Sequence, residues 1–155
     1  MDWNAVALSV KLSALVGDKG KVYAIDVQPE MLDILKKRLK SEKIANVELT
    51  LGTEKDPKLP ANSVDLILMV DVYHEFTHPY EMTGAMVKSL KPGGRLVFVE
   101  FRLEDEKVPI LTLHRMAEKQ VVKEMEPFPL RHVETQKHLP WQHVIIFEKK
   151  ERKQP

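Results

Sequence analysis

The spacing of apolar residues along this chain changes period several times, and each change marks an element. Over residues 5–16, Val6, Val10 and the stretch from Leu12 to Val16 give a largely apolar helix that ends at Gly17. Residues 21–26 alternate as a strand that ends in Asp26. Pro29 then opens an amphipathic helix over 30–41, with Met31, Leu32, Leu35 and Leu39 inward and lysines outward. A strand at 47–51, a polar loop over 52–62 and a β-branched run from Val64 to Val72 follow, the last predicting a buried strand that ends at Asp71. Beyond it the pattern predicts a helix over 79–90 stopping at Lys91-Pro92-Gly93-Gly94, a strand over 95–101, a helix from about 112 to 126, and strands over 131–138 and 143–148.

Strands alternating with helices predict an α/β fold with a mostly parallel sheet covered on both faces. The last two strands are joined only by Leu139-Pro140-Trp141-Gln142. A parallel crossover needs a dozen or more residues, so this pair is an antiparallel C-terminal hairpin. There is no internal repeat and no linker. A length of 155 residues predicts one domain over 1–150, with a solvated basic tail at 151–155.

Composition narrows the function classes. With 24 Lys+Arg against 23 Asp+Glu the net charge is +1, and nothing steers the chain to nucleic acid or to a membrane surface. The absence of cysteine removes disulfides, thiolate metal sites and cysteine nucleophiles, which fits a reducing, cytoplasmic setting. The apolar run over 5–16 is too short to span a bilayer and has no basic region before it.

One motif points elsewhere. His74-Glu75-Phe76-Thr77-His78 matches the H-E-x-x-H pattern of zinc peptidases. That chemistry needs one helix, so that both imidazoles share a face with the glutamate beside them. Here a strand precedes the motif and Pro79 follows it, and the residue before proline is pushed out of the α region. The five letters therefore straddle a strand-to-helix loop, with His78 capping a new helix, and no metal is expected.

Four blocks in fixed order, GKVYAIDVQPEML (20–32), NVELTLGTEKDPKLPANSVDLILMVDVYHEF (46–76), LKPGGRLVFVE (90–100) and WQHVIIFEK (141–149), carry a resemblance. They resemble the class I S-adenosylmethionine-dependent methyltransferases, of the small-molecule methyltransferase domain type, over nearly the whole chain. The resemblance implies a Rossmann-like methyltransferase sheet and S-adenosylmethionine as cofactor. An acid at the end of the second family strand accepts hydrogen bonds from ribose hydroxyls, a place held here by Asp26. By the same resemblance Val27 or Gln28 flanks the adenine, Thr53 and Glu54 lie near its other edge, and Asp71 and Val72 line the methionine end and the substrate mouth. The expected acceptor is a small molecule. His74 and Glu75 are the catalytic candidates, an imidazole taking the acceptor's proton and a carboxylate orienting it. His114 and Arg115, on the later helix, either face the acceptor or lie on a solvated helix face, the second being the expected place, and His132, His138 and His143 carry no assigned chemistry.

The chain departs from the family at its start. The family's first strand and glycine-rich loop precede a helix like that over 5–16, whereas here only Met1-Asp2-Trp3-Asn4 stand there and the six glycines lie at 17, 20, 52, 84, 93 and 94. That strand is central in the family's sheet, so its absence leaves open edges on the strands ending at Asp26 and Asp71. Closure of the two strands, a strand from another chain, and truncation of a longer protein are the three resolutions, and truncation is the expected one. Three functions follow: a methyltransferase, complete or partial; a methyltransferase-like binding or oligomerising module without cofactor affinity; and a nicotinamide-dependent oxidoreductase, disfavoured because no G-x-G-x-x-G precedes the first helix.

Overall fold

The structure, a computed structural model, describes residues 3–151, so the expected basic tail lies outside it apart from Glu151. The chain divides into two compact units, Met1–Lys58 and Leu59–Pro155. Among the described residues no helix is long and apolar enough to cross a membrane.

The first unit contains α1 (Trp3–Val16), β1 (Val22–Asp26), α2 (Pro29–Ser41) and β2 (Val47–Leu51). β1 and β2 pair in parallel from Val22↔Val47 to Asp26↔Leu51, so their carboxyl ends lie side by side. The heptad-like spacing of α2 places Leu35 and Leu39 against Val6 of α1, with Val10, Ala24, Ile44, Val47 and Leu49 packed around them. Each such side chain contributes about 1.5–3 kcal/mol on burial. Pro29 starts α2 and Arg38 and Lys40 finish it, in the order its dipole favours. The carbonyls at the end of α1 find a partner in Asn46, whose Nδ2 donates to Ser13 O at 3.0 Å and Gly17 O at 3.1 Å. A side chain just before β2 thus closes the helix that precedes β1.

The second unit contains β3 (Val64–Val70), a 3-10 turn (Tyr73–Glu75), α3 (Pro79–Ser89), β4 (Leu90–Arg102), a second 3-10 turn (Thr112–His114), β5 (Arg115–Met116), α4 (Glu118–Met125), β6 (Leu130–Gln136) and β7 (Gln142–Lys149). Its strand order is β3-β4-β7-β6, with β5 beside the end of β4. β3 and β4 are parallel, while β4 with β7 and β6 with β7 are antiparallel. The α/β class, the parallel pairs and the terminal hairpin are those the sequence implies. Leu90, Leu96, Phe98 and Ile145 are fully buried at the centre of this sheet.

Among the described residues β1 pairs only with β2, and β3 only with β4. Each is therefore an edge strand, as expected of a methyltransferase sheet lacking its first strand. Burial follows from this. The near-continuous apolar run predicts a β3 covered throughout, yet Leu66 is 50% exposed and on β1 Ile25 is 38% exposed.

Three other boundaries moved. β3 stops at Val70 because Asp71 turns to φ 49°, a left-handed conformation. The Lys91-Pro92-Gly93-Gly94 stretch does not end in a loop but forms a bulge inside β4, whose register jumps from Val64↔Leu90 to Leu66↔Arg95. Gly93 sits there at φ 75°, and a Cβ on Gly94 would lie 2.8 Å from Lys91 O. The expected helix over 112–126 is replaced by a 3-10 turn, the two-residue β5 and a shorter helix from Glu118. Its first part is extended because Arg115 pairs with Phe101 at the end of β4.

His143 sits in β7 opposite Glu100, fully buried, and neither ring nitrogen has a partner. Burial lowers its basicity, so it is neutral when folded. Below the ordinary imidazole range, about pH 6.5, the unfolded chain binds a proton that folded His143 refuses, so stability falls as pH falls and returns above it. We expect His143→Leu to raise stability in urea by about 1–3 kcal/mol near neutral pH and to flatten the loss below it. A lowered midpoint would mean that the two nitrogens are satisfied.

Candidate active site

Asp71 follows β3 with its backbone N–H donating to Val99 O at 2.8 Å, which holds the turn against β4. The chain then enters the 3-10 turn, and Phe76 leaves it in an extended conformation. His78 is the N-cap of α3 with Pro79 at its first position, and its ring contacts Thr77 Oγ1 at 3.0 Å. The H-E-x-x-H letters are thus split between a turn, an extended residue and a helix cap. No single helical face carries them.

The turn is fixed by a residue from β4. Glu100 is fully buried, and its Oε1 accepts the Tyr73 N–H at 2.8 Å while its Oε2 lies 2.7 Å from His74 Nδ1. Burial pushes the Glu100 carboxyl up from its ordinary value, and the bonds from His74 and Tyr73 pull it partly back. The His74 side chain is only 7% exposed. Its other nitrogen, Nε2, lies 3.2 Å from Nδ1 of His114, which ends the second 3-10 turn. The two rings meet edge to face, with centroids 5.3 Å apart.

Sequence reasoning placed a carboxylate beside His74 but chose Glu75. The structure brings Glu100, twenty-six residues away in sequence, within hydrogen-bonding distance of His74, and Glu75 keeps a carboxylate oxygen within 4.8 Å of the same ring. A signal was present, since an acid inside the apolar strand Leu96-Val97-Phe98-Val99-Glu100 is out of pattern and needs a partner. His114 and Arg115 are not on a solvated helix face. His114 meets His74, and Arg115 turns its guanidinium onto loop carbonyls, Nε to Ile110 O at 2.9 Å and Nη2 to Val108 O at 2.6 Å.

Tyr73, also missed, is buried and donates its hydroxyl to Glu124 Oε2 of α4 at 2.8 Å. Burial and the neighbouring carboxylate push its phenol well above the usual range. Tyr73, His74, Phe76, Met116, Gln120 and Glu124 line an open pocket of about 230 Å³. Asp71 Oδ2 accepts from Gln142 Nε2 at 3.2 Å.

The remaining expected site residues gather at the carboxyl ends of β1 and β2. Asp26 Oδ1 accepts the Gln28 N–H at 2.8 Å, and its carbonyl accepts the Gly52 N–H at 2.9 Å. Val27 is 48% exposed. Thr53 and Glu54 lie exposed just after β2, where the Thr53 N–H donates to Asp56 O at 2.9 Å. A half-buried carboxylate, an exposed apolar side chain and polar loop groups at paired strand ends are the right chemistry for ribose and adenine.

His74, Glu75 and His114 bring one donor atom each within 4.8 Å of one another, a set able to take a metal ion, and His78 is not in it. The nitrogen contact between the two rings also has the form of an ordinary hydrogen bond. We expect protein purified without added zinc to carry well below one equivalent by elemental analysis, and His78→Ala to leave the value unchanged. Stoichiometric zinc that depends on His78 would restore the peptidase geometry.

A family model described as "Methyltransferase domain" matches residues 6–98. The chain is 34% identical over 95 residues to the ubiquinone/menaquinone biosynthesis C-methyltransferase UbiE of Pseudomonas putida, covering 61% of this chain and 37% of that relative. Among solved structures it is similar to a SAM dependent methyltransferase from Aquifex aeolicus, with a TM-score of 0.87 and 27% identity over 94% of this chain and 77% of that one. The [4+2]-cyclase SpnF shares the fold at a TM-score of 0.79 and 11% identity, covering 94% of this chain and 72% of that one.

Proposed function

Because this chain belongs to the methyltransferase domain family, matched over residues 6–98, we propose that residues 1–150 act as one S-adenosylmethionine-dependent methyltransferase domain. Its acceptor is a small molecule with a removable proton. The observation that carries this reading is the Glu100–His74–His114 chain of contacts at the carboxyl ends of β3 and β4, where ligands bind in open α/β sheets. A proton-accepting group is of use only when the acceptor has a proton to lose.

The cofactor supplies a methyl group on a sulfonium. Asp26 holds the ribose hydroxyls, with Val27 and Gln28 against one side of the adenine and Thr53 and Glu54 near the other. Asp71 and Val72 line the methionine end. His74 and Glu75 serve the acceptor side, and Glu100 fixes the ring of His74 and stabilises the positive charge that a captured proton brings there. The chain's contribution is alignment, exclusion of water and storage of one proton. The relative's name specifies C-methylation, which makes the acceptor atom a carbon rendered nucleophilic by loss of a proton from the acceptor. Neither membrane nor nucleic acid enters this reading, and the setting is cytoplasmic.

A second reading, a methyltransferase-like module that binds or oligomerises without turnover, is favoured by the one-sided pairing of β1 and β3. Calorimetry with S-adenosylhomocysteine separates the two. We expect measurable binding that weakens more than tenfold in Asp26→Ala, since each charge-assisted bond to a hydroxyl contributes about 1.5–3 kcal/mol. No binding by the parent, with dimers in light scattering, would favour the second reading. Unchanged affinity in a folded Asp26→Ala would remove Asp26 from the site.

A further inference from the structure

We propose that the group receiving the acceptor's proton is His114, through its Nε2, and that His74 and Glu100 behind it are positioning residues that carry the charge. This rests on the methyl-transfer reading, and it follows from counting protons along one line of contacts.

Glu100 accepts the Tyr73 N–H at one oxygen, and at the other it faces His74 Nδ1 at 2.7 Å. A carboxylate can only accept, so the proton of the neutral His74 ring is on Nδ1 and its Nε2 is bare. That bare nitrogen lies 3.2 Å from His114 Nδ1. Two bare nitrogens at this distance repel, so His114 is also an Nδ1–H tautomer and donates to His74. The one lone pair left in this line of contacts is then on His114 Nε2, which has no hydrogen-bond partner among the described residues. Glu100 is fully buried, and both imidazoles are partly buried in front of it.

The proton count balances. The acceptor's proton moves to His114 Nε2, the Nδ1 proton of His114 passes to His74 Nε2, and the positive charge rests on His74 against the Glu100 carboxylate. The electron pair left on the acceptor forms the new bond to the methyl carbon, and the carbon–sulfur bond breaks with its pair staying on sulfur as a neutral thioether. The stored proton returns to solvent through His114 after product leaves.

Other charged groups near the pair are few. Glu75, on the same turn as His74, has a carboxylate oxygen within 4.8 Å of a nitrogen of each ring. The Arg115 guanidinium is spent on the loop carbonyls, and Glu124 is held by the Tyr73 hydroxyl.

The test needs no acceptor. The full chain, labelled with 15N in its histidines, is observed by long-range proton–nitrogen correlation above the imidazole titration range. Both His74 and His114 should be Nδ1–H tautomers, the reverse of the form free imidazole side chains prefer. In Glu100→Gln the amide can donate to His74 Nδ1, which moves the His74 proton to Nε2 and reverses the contact. His114 Nδ1 should then lose its proton, although residue 100 does not touch it. Glu75→Gln should leave both tautomers as they are. If Glu100→Gln does not fold, the parent spectrum still decides, because His114 as an Nε2–H tautomer overturns the proposal. So does an unchanged His114 in folded Glu100→Gln. One equivalent of metal whose loss on chelation alters both rings would overturn it too, by making the pair a ligand set. None of these outcomes depends on cofactor affinity, so failure here is distinguishable from failure of the methyltransferase reading.

Discussion

A carboxylate placed where no water reaches must be met by donors fixed in advance, and Glu100 sets this requirement for the whole second unit. It sits on β4, between the fully buried Phe98 and the start of the loop that leads to His114. Its two oxygens take the backbone N–H of Tyr73 and a ring nitrogen of His74. The turn after β3 therefore cannot relax into a longer helix or strand without leaving a buried charge unpaired, a loss of about 3–5 kcal/mol. The positive φ at Asp71, the 3-10 turn and the cap at His78 are how the chain meets that demand within eight residues.

The same logic of unmet backbone groups explains the sheets. Parallel strands are stable when both edges and both faces are covered. β1 and β3 each have a partner on one side, and the exposure of Ile25 and Leu66 follows from that. The matched relative from Pseudomonas putida is longer, the chain spanning 37% of its length. Each unit nevertheless has a buried centre of its own, the first in Val6, Leu35 and Leu39 and the second in Leu96, Phe98 and Ile145.

Much of this was legible in the sequence, and the exceptions have causes. The period of α2, the β-branched runs and the four-residue link before β7 marked those elements, because each depends on spacing within one element. The 112–126 segment misled because helical spacing there competes with Arg115, whose guanidinium bonds loop carbonyls upstream of it and whose backbone pairs with the end of β4. Such contacts depend on where the chain returns, which local spacing does not encode. The site divided in the same way. His74 and the strand-end acids could be named from order alone. The pairing of His74 with Glu100 instead of Glu75, and the arrival of His114, required the register of β3 against β4 and the path of the loop. The H-E-x-x-H letters show the converse, a familiar pattern that local geometry takes apart.

Arg115 has a consequence of a different kind. Its side chain reaches carbonyls of Asp105, Val108 and Ile110, while His114 is its neighbour in sequence. The strap from 103 to 114 thus has a buckle placed one residue from the imidazole that meets His74. Closing the strap and setting that ring are one mechanical event. A nick or an insertion within the strap would leave both sheets folded while the ring drifted, and a displacement of about 1 Å is enough to lower a rate by about a hundredfold. Tolerance to change in this loop would therefore end abruptly at its buckle, although most of its side chains lie in solvent.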